Sequence, residues 1–212
     1  MKEYYDNYIK KDHSFDKMTI IGIICLIIVI GGTFGFIYEV IFYYFNEGME
    51  KFYWKGGNFL PWINIYAIGA VLIYLFNYKN RKKPLKVFLL STLICGLLEY
   101  VSGLIIYIVG NGLRYWNYNT EILNFGNVQG FICLRSVLFF GLSALLLMYV
   151  IVPICFYIAK KLSKKKFLII SISLCSIVLL DEFYNLIITR LFNLPNSIAI
   201  YKSLGVNYIN LK

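Results

Sequence analysis

Five stretches of this sequence are long and almost entirely apolar, and they constrain the fold more than any other feature. They run over residues 18–45, 60–78, 85–109, 130–159 and 167–192. About 20 such residues are enough to cross the hydrocarbon core of a bilayer as a helix. Because lipid offers the backbone no hydrogen-bond partners, spanning segments of this kind are helical. The sequence therefore predicts an all-α, polytopic membrane helical bundle with about five transmembrane helices.

Composition excludes several other classes of protein. Of the 212 residues, 59% are hydrophobic and 15% are charged, whereas a soluble domain has about 45–50% and about 25%. The five cysteines all lie in apolar stretches, which is typical of small buried hydrophobes rather than of a secreted disulfide scaffold. His13 is the only histidine, and no P-loop is present. We therefore expect no metal site, no cofactor, no ATPase activity in this chain and no enzyme.

Basic residues predict the orientation of the helices. Fourteen of the 21 fall in the amino-terminal segment and in the second and fourth connections: Lys2, Lys10, Lys11, Lys17, Lys79, Arg81, Lys82, Lys83, Lys86, Lys160, Lys161, Lys164, Lys165 and Lys166. The positive-inside rule then makes residues 1–17 a cytoplasmic segment, 18–192 a five-helix bundle in the cell membrane, and 193–212 an extracytoplasmic tail. The net charge of +10 is then explained by topology and by anionic membrane lipids, without a nucleic-acid partner.

Ionisable residues inside the apolar stretches are the candidate functional residues. Each costs about 2.5–3.5 kcal/mol to insert and is a functional-site hypothesis by default. Glu39, Glu99, Arg135 and Asp181 all fall at the centre or in the outer half of their stretches. Their placement predicts one shared polar cavity that opens outward. We expect Arg135 to pair with Glu99 or Glu39, in bidentate geometry if the pair is buried.

The same charges have other interpretations. Buried ion pairs can fix the register of helices without binding a ligand, which would make the chain a membrane scaffold or accessory subunit. Glu39 and Arg190 can instead reach the interface by snorkelling. Asp181 and Glu182 are the candidate acid–base pair of an intramembrane enzyme acting on lipid or peptide. Adjacent residues of a helix point about 100° apart, which argues against that enzyme.

The third connection, residues 110–129, is rich in aromatic and amide side chains rather than in charge. Its candidate binding residues are Trp116, Tyr118 and Asn127. One interpretation is an aromatic belt at the level of the lipid headgroups. The other is a cap over the polar cluster that stacks on, or hydrogen-bonds to, a ligand. A faint repeat around Glu39 and Glu99, which like Asp181 lie in odd-numbered spans, also allows parallel helical-hairpin units, as in some transporters.

Four motifs, in order over about residues 30–160, resemble those of one family. They are Gly35-Phe36-Ile37-Tyr38-Glu39, Leu98-Glu99-Tyr100, Trp116-Asn117-Tyr118-Asn119 and Asn127-Val128-Gln129-Gly130-Phe131-Ile132-Cys133-Leu134. On these motifs the chain resembles the bacterial integral membrane family of putative ABC-transporter permeases (type IV). The resemblance implies a transport-related, permease-like subunit for a small substrate and a separate ATPase subunit as partner.

The resemblance is to a divergent member of that family. The first outer loop of the family usually reads Arg-Gly-Phe-Leu-x-Gly-Pro, followed by Pro-Ile-Tyr-Gly. In this chain residues 55–61 read Lys-Gly-Gly-Asn-Phe-Leu-Pro and residues 64–67 read Asn-Ile-Tyr-Ala. Asn117 also stands where the family has an aspartate. Because of these departures, an activity of the family's loop is not carried over to this loop.

Overall fold

The computed structural model describes Tyr8 and residues 15–207, and in that part of the chain the structure is helical without a strand. The helices are α1 (Lys17–Asn46), α2 (Asn64–Asn77), α3 (Pro84–Val109), α4 (Leu134–Lys161), α5 (Lys164–Phe192) and α6 (Ser197–Ser203). α1, α3, α4 and α5 are each long and apolar enough to cross a membrane. The predicted all-α membrane bundle is confirmed. The predicted number of about five spans is approximate, because α2 has only 14 residues.

Most helix boundaries follow from local chemistry. Asp16 caps α1, where its carboxylate accepts the backbone N–H of Met18 and of Thr19, as N-terminal capping requires. The Lys164 ammonium lies 2.8 Å from the same carboxylate. That hydrogen bond, with a second from the Thr19 hydroxyl, holds the pKa of Asp16 well below its usual value. Pro84 opens α3, where its missing N–H costs no hydrogen bond.

Two of the long helices contain a π-helical turn. In α4 the turn is Leu147–Ile151, and Pro153 lies two residues after it. Proline cannot donate to the carbonyl one turn earlier, and a π turn is one way to interrupt the regular hydrogen bonds of a helix. In α5 the turn is Tyr184–Ile188, which begins two residues after Glu182 and contains Asn185. Both breaks therefore lie within segments that the sequence predicts as single spans.

The chain divides into two compact units. The central unit contains Gly69–Tyr157 together with Tyr8, and the flanking unit contains Phe15–Ile68 and, of the described residues, 158–207. In the central unit α3 packs along α4, and in the flanking unit α1 packs along α5. Small residues permit close approach in both cases: Gly96 faces the Val137 side chain, and Gly22 faces the Phe167 ring.

Each unit contains a connecting segment that folds back along the preceding helix. In the flanking unit the N–H of Ile63 donates to the carbonyl of Gly32 (3.1 Å). Helix α2 therefore begins beside the middle of α1, about 20 Å before α1 ends. In the central unit the third residue of α4, Ser136, contacts Glu99 of α3, about 15 Å before α3 ends. The predicted parallel helical-hairpin units stay a prediction.

Arg81 departs from the simplest expectation for a topology-determining charge. It is 3% exposed, and its Nε donates to the carbonyl of Tyr8 (3.0 Å). Its guanidinium also stacks over the Tyr78 ring. Burial raises the pKa of the Tyr8 phenol well above its usual value. The predicted cytoplasmic segment therefore has a docked residue, whereas most of that segment, including His13, lies outside the described residues.

Candidate functional site

Glu99 lies at the centre of a buried polar cluster in the central unit. Its side chain projects from α3, and the residue is 5% exposed. The Tyr118 hydroxyl donates to its Oε1 (2.5 Å), and the Ser136 hydroxyl donates to its Oε2 (2.9 Å). Both carboxylate oxygens are therefore hydrogen-bonded, as buried polar groups must be. One partner comes from the connecting segment 110–133 and the other from the first turn of α4.

The connecting segment holds Tyr118 in place through its own hydrogen bonds. The backbone N–H of Tyr118 donates to the carbonyl of Gly130 (3.0 Å), and its carbonyl accepts from the Asn124 amide (2.9 Å). Asn127 accepts the N–H of Gly130 (2.8 Å), and the Trp116 indole donates to the carbonyl of Phe131 (2.9 Å). Of the three predicted loop residues, Tyr118 therefore contacts the acid, whereas Trp116 and Asn127 hold the segment.

Gly130 fits this segment because no other residue has room there. Its φ is +75°, in the left-handed region. A Cβ at this position would lie 2.6 Å from the Asn119 amide nitrogen, 2.7 Å from the Asn117 side-chain oxygen and 2.8 Å from Arg114 Nη1. A side chain would therefore be strained and would also displace three polar groups. The motif residues Asn117 and Gly130 thus belong to one packed turn.

Arg135 extends the cluster through a partner that sequence reasoning did not single out. Its Nη2 lies 2.7 Å from Glu121 Oε2, and both side chains are nearly buried. The Arg135 guanidinium also lies over the Tyr118 ring, 5.3 Å from its centroid, a cation–π arrangement. Glu121 was missed because it lies outside the apolar stretches. Pairing of Arg135 with Glu99 or Glu39 stays a prediction.

We refer to Glu99, Tyr118, Glu121, Arg135 and Ser136 as the Glu99 cluster. It joins α3, the connecting segment and α4 within one compact unit. Its charged side chains are two carboxylates and one guanidinium. In a medium of low dielectric constant, such groups interact far more strongly than they do in water. The chemistry that this arrangement offers is therefore hydrogen bonding, ion pairing and proton binding.

Asp181 has a different surrounding, in the flanking unit. Its Oδ1 accepts the backbone N–H of Phe59 (3.1 Å), and its Oδ2 accepts that of Leu60 (2.7 Å). The Asn185 amide adds a third donor (2.8 Å). Within a membrane, non-helical backbone needs such partners because lipid supplies none. Asp181 therefore anchors the segment that leads into α2.

Glu182 and Glu39 also bind neighbouring parts of the flanking unit. The two carboxylate oxygens of Glu182 accept from the amides of Asn58 (2.8 Å) and Asn64 (2.7 Å). Glu39, which is half-buried, accepts from the Tyr66 hydroxyl (2.5 Å). Asp181 and Glu182 are adjacent on their helix, so their side chains point about 100° apart. Both nevertheless accept hydrogen bonds from the stretch 58–64, which leads into α2. These structural contacts differ from the arrangement in which two acids share one substrate.

The four predicted intramembrane residues thus lie in two groups. Glu99 and Arg135 belong to the central unit, and both contact Tyr118. Glu39 and Asp181 belong to the flanking unit. One cavity shared by all four stays a prediction. Within Tyr8 and residues 15–207, no three His, Cys, Asp or Glu side chains are grouped so that they could hold a metal ion.

Comparison with known proteins identifies one family. The family model described as Putative ABC-transporter type IV matches residues 12–186, a range that contains every predicted site residue. This is the family that the four sequence motifs resemble, so the resemblance is confirmed. No curated protein and no solved structure matches the chain.

Proposed function

The chain belongs to the family Putative ABC-transporter type IV, and on that premise we propose that it is a permease-like membrane subunit for a small substrate. Family membership indicates a transport-related protein, and four of the described helices are long and apolar enough to cross a membrane, which fits a multi-pass membrane protein. The proposal adds that the Glu99 cluster is its polar intramembrane site.

The composition of the Glu99 cluster carries the proposal. Two buried carboxylates, Glu99 and Glu121, lie in one cluster with the guanidinium of Arg135 and with two hydroxyls. Ionisable residues within apolar spans are costly to insert and are functional-site candidates by default. A cluster of this composition offers both donors and acceptors to a polar or charged group of a substrate.

The connecting segment 110–133 supports the same interpretation. It brings non-helical backbone about 15 Å back along α3, from its end to the depth of Glu99. Irregular backbone at membrane depth is tolerated where it is buried in protein or lines a cavity. Substrate sites of transporters are commonly built in this way, from interrupted helices near the membrane midplane. Through the hydroxyl of Tyr118, this segment donates a hydrogen bond to the carboxylate of Glu99.

The basic residues support an outward orientation of the site. Lys82, Lys83 and Lys86 lie at the start of α3, and Glu99 lies more than a dozen residues further along the same helix. If the lysine-rich end is cytoplasmic, as the positive-inside rule predicts, the cluster opens toward the exterior. The lysines would then contact the anionic headgroups of the inner leaflet.

Energy for transport would come from a separate ATPase subunit. Membership of an ABC-transporter family suggests association with such components, and the sequence has no Walker-type phosphate loop of its own. The amino-terminal half of α4, with Arg135 and Ser136, would then respond to motions driven by ATP hydrolysis in the partner. The complex, rather than this chain alone, would be the active species.

The test is to isolate the complex from its native membrane in lipid nanodiscs and to measure ATP hydrolysis. We expect a stoichiometric ATPase subunit, and we expect Glu99→Gln and Arg135→Gln to lower transport-linked hydrolysis at least tenfold while assembly persists. Glu50→Gln is the matched control, because Glu50 is exposed. Assembled Glu99→Gln and Arg135→Gln complexes with unchanged activity would favour the second candidate, a scaffold with structural charges.

A further inference from the structure

The hydroxyl of Ser136 lies between two acceptors but carries only one proton. Its Oγ is 2.9 Å from Oε2 of Glu99 and also 2.9 Å from the carbonyl oxygen of Cys133. The same Oγ accepts the backbone N–H of Cys133 (3.2 Å). A serine hydroxyl has one donor and two acceptor sites. It can therefore donate to Glu99 or to Cys133, and it retains one acceptor site in either case.

We propose that Glu99 is a proton-binding site that Ser136 accommodates in both protonation states. When Glu99 is ionised, Ser136 donates to its Oε2. When Glu99 takes up a proton from the aqueous phase, the new O–H group donates to Ser136 Oγ, and the serine hydroxyl turns to the carbonyl of Cys133. No other bond forms or breaks, and the step needs no additional reactant.

The described hydrogen-bond partners of Glu99, Tyr118 and Ser136, remain satisfied in the two states. Tyr118 donates to Oε1 of Glu99 in each, because that oxygen is an acceptor in the carboxylate and in the neutral acid. The carbonyl of Cys133 keeps the N–H of Val137 as a donor (3.2 Å) even when Ser136 turns away. Leaving a buried group without a partner costs about 1–3 kcal/mol. This arrangement avoids that cost on both sides of the equilibrium.

The described charged and titratable groups of the cluster come from three elements. The connecting segment contributes Tyr118, which donates to Glu99, and Glu121, which pairs with Arg135. Helix α4 contributes Arg135, which lies over the Tyr118 ring, and α3 contributes the buried thiol of Cys95, one turn before Glu99. Uptake of one proton by Glu99 leaves the Arg135–Glu121 ion pair as it is.

Proton binding would act on two elements at once. Tyr118 connects Glu99 to the connecting segment, and Ser136 connects it to the first turn of α4, where Cys133 is the N-cap. Protonation of Glu99 reverses the hydrogen bond at that cap: Ser136 donates to the carboxylate but accepts from the neutral acid. The local structure at the start of α4 is therefore sensitive to the protonation state of an acid on another helix. This inference does not require the transport role.

Infrared spectroscopy of the full chain in lipid nanodiscs tests the proposal. Spectra are recorded between about pH 4 and about pH 9, a range that brackets carboxyl groups shifted by several units. Because the chain has 11 acidic residues, the observable is the difference between variants. We expect the wild type to show one component of the protonated-carboxyl C=O band that disappears as pH rises, that is missing in Glu99→Gln and that persists in Glu50→Gln. Identical titrating bands in the wild type and in Glu99→Gln would overturn the proposal.

Ser136→Ala and Tyr118→Phe keep the experiment decisive if Glu99→Gln does not fold. Each variant retains the acid but removes one hydroxyl that contacts it. We expect both to shift the frequency of the titrating band, since the C=O stretch responds to the hydrogen bonds of the carboxyl group. Bands with wild-type frequency in both variants would contradict the assignment to Glu99. A merely structural role for Ser136 would alter stability without moving the band.

Discussion

The phenol of Tyr118 donates a 2.5 Å hydrogen bond to the buried carboxylate of Glu99, although the last ten residues of α3 and the first eight of the connecting segment separate them in sequence. Two predicted site residues of different kinds, an aromatic loop residue and an intramembrane acid, thus form one unit. The conformation of the segment and the environment of the acid depend on each other. This relationship makes the predictions about the central unit specific.

Close packing in the flanking unit makes the first prediction. Gly32→Ala should destabilise the protein by about 1–3 kcal/mol through overpacking, because a Cβ there would lie 2.1 Å from Trp62 Nε1. The Trp62 indole cannot move away easily, since it is 3% exposed and donates to the carbonyl of Ile28. Thermal unfolding in detergent measures the effect. Gly57→Ala, with no atom within 4 Å of its Cβ, should change stability by less than about 0.5 kcal/mol.

The pair of Arg135 and Glu121 makes the second prediction. Arg135→Met leaves a buried carboxylate without its partner, and we expect a loss of about 3–5 kcal/mol. Adding Glu121→Leu to that variant should recover a large part of the loss, because the uncompensated charge is removed. Chemical unfolding of the single and double variants measures this. Arg190→Met, at an exposed position of α5, is the matched control. A double variant no more stable than Arg135→Met would contradict the burial argument.

The anchoring of the segment before α2 makes the third prediction. Asp181→Asn replaces one of two accepting oxygens by an NH₂ group that faces a backbone N–H of Phe59 or Leu60. We expect a loss of about 1.5–3 kcal/mol, the range for hydrogen bonds to charged groups. Limited proteolysis should then cut within residues 56–63 faster than in the wild type. Glu182→Gln should do less, because its partners are side-chain amides that can rotate. Equal cleavage in both variants would count against the anchor.

The cap of α1 makes a prediction about pH. Hydrogen bonds from Lys164 and Thr19 hold the pKa of Asp16 below its unfolded value. Its contribution to stability is therefore present above the unfolded pKa of about 4 and is lost as pH falls further. The stability difference between wild type and Asp16→Asn should be largest near neutral pH and should shrink in acid. Asparagine still caps a helix, so the comparison isolates the charge. A difference that grows in acid would contradict this sign.

Helices were the most predictable part of the fold. The long apolar stretches coincide with α1, α3, α4 and α5 within a few residues, because hydrophobic length alone decides which segments can cross a bilayer. Two starts were predicted too early. Residues 60–63 are apolar but bind Asp181 and Gly32 as irregular chain. Residues 130–133 are held by the turn at Gly130. Neither contact can be read from hydropathy.

The candidate site was predictable only in part. Glu99 and Arg135 can be identified from the sequence alone, because ionisable residues within apolar stretches are costly to insert into a membrane. The aromatic character of the third connection identifies Tyr118. Glu121 could not be found in this way, because it lies in a polar connection, and the sequence gives no sign that an acid there is buried. Ser136 likewise carries no signal, since serine is common in membrane helices. Only folding of the connecting segment onto α3 brings these residues together.

A double-mutant cycle on Tyr118→Phe and Glu99→Met, which each remove one partner of the hydrogen bond, tests most directly the claim that the connecting segment reaches the intramembrane acid. Unfolding free energies of the wild type, both single variants and the double variant give the coupling between the two side chains. The account predicts a coupling energy of at least about 1 kcal/mol, within the range known for residues that share a hydrogen bond. A coupling within about 0.3 kcal/mol of zero, as for independent residues, would contradict it.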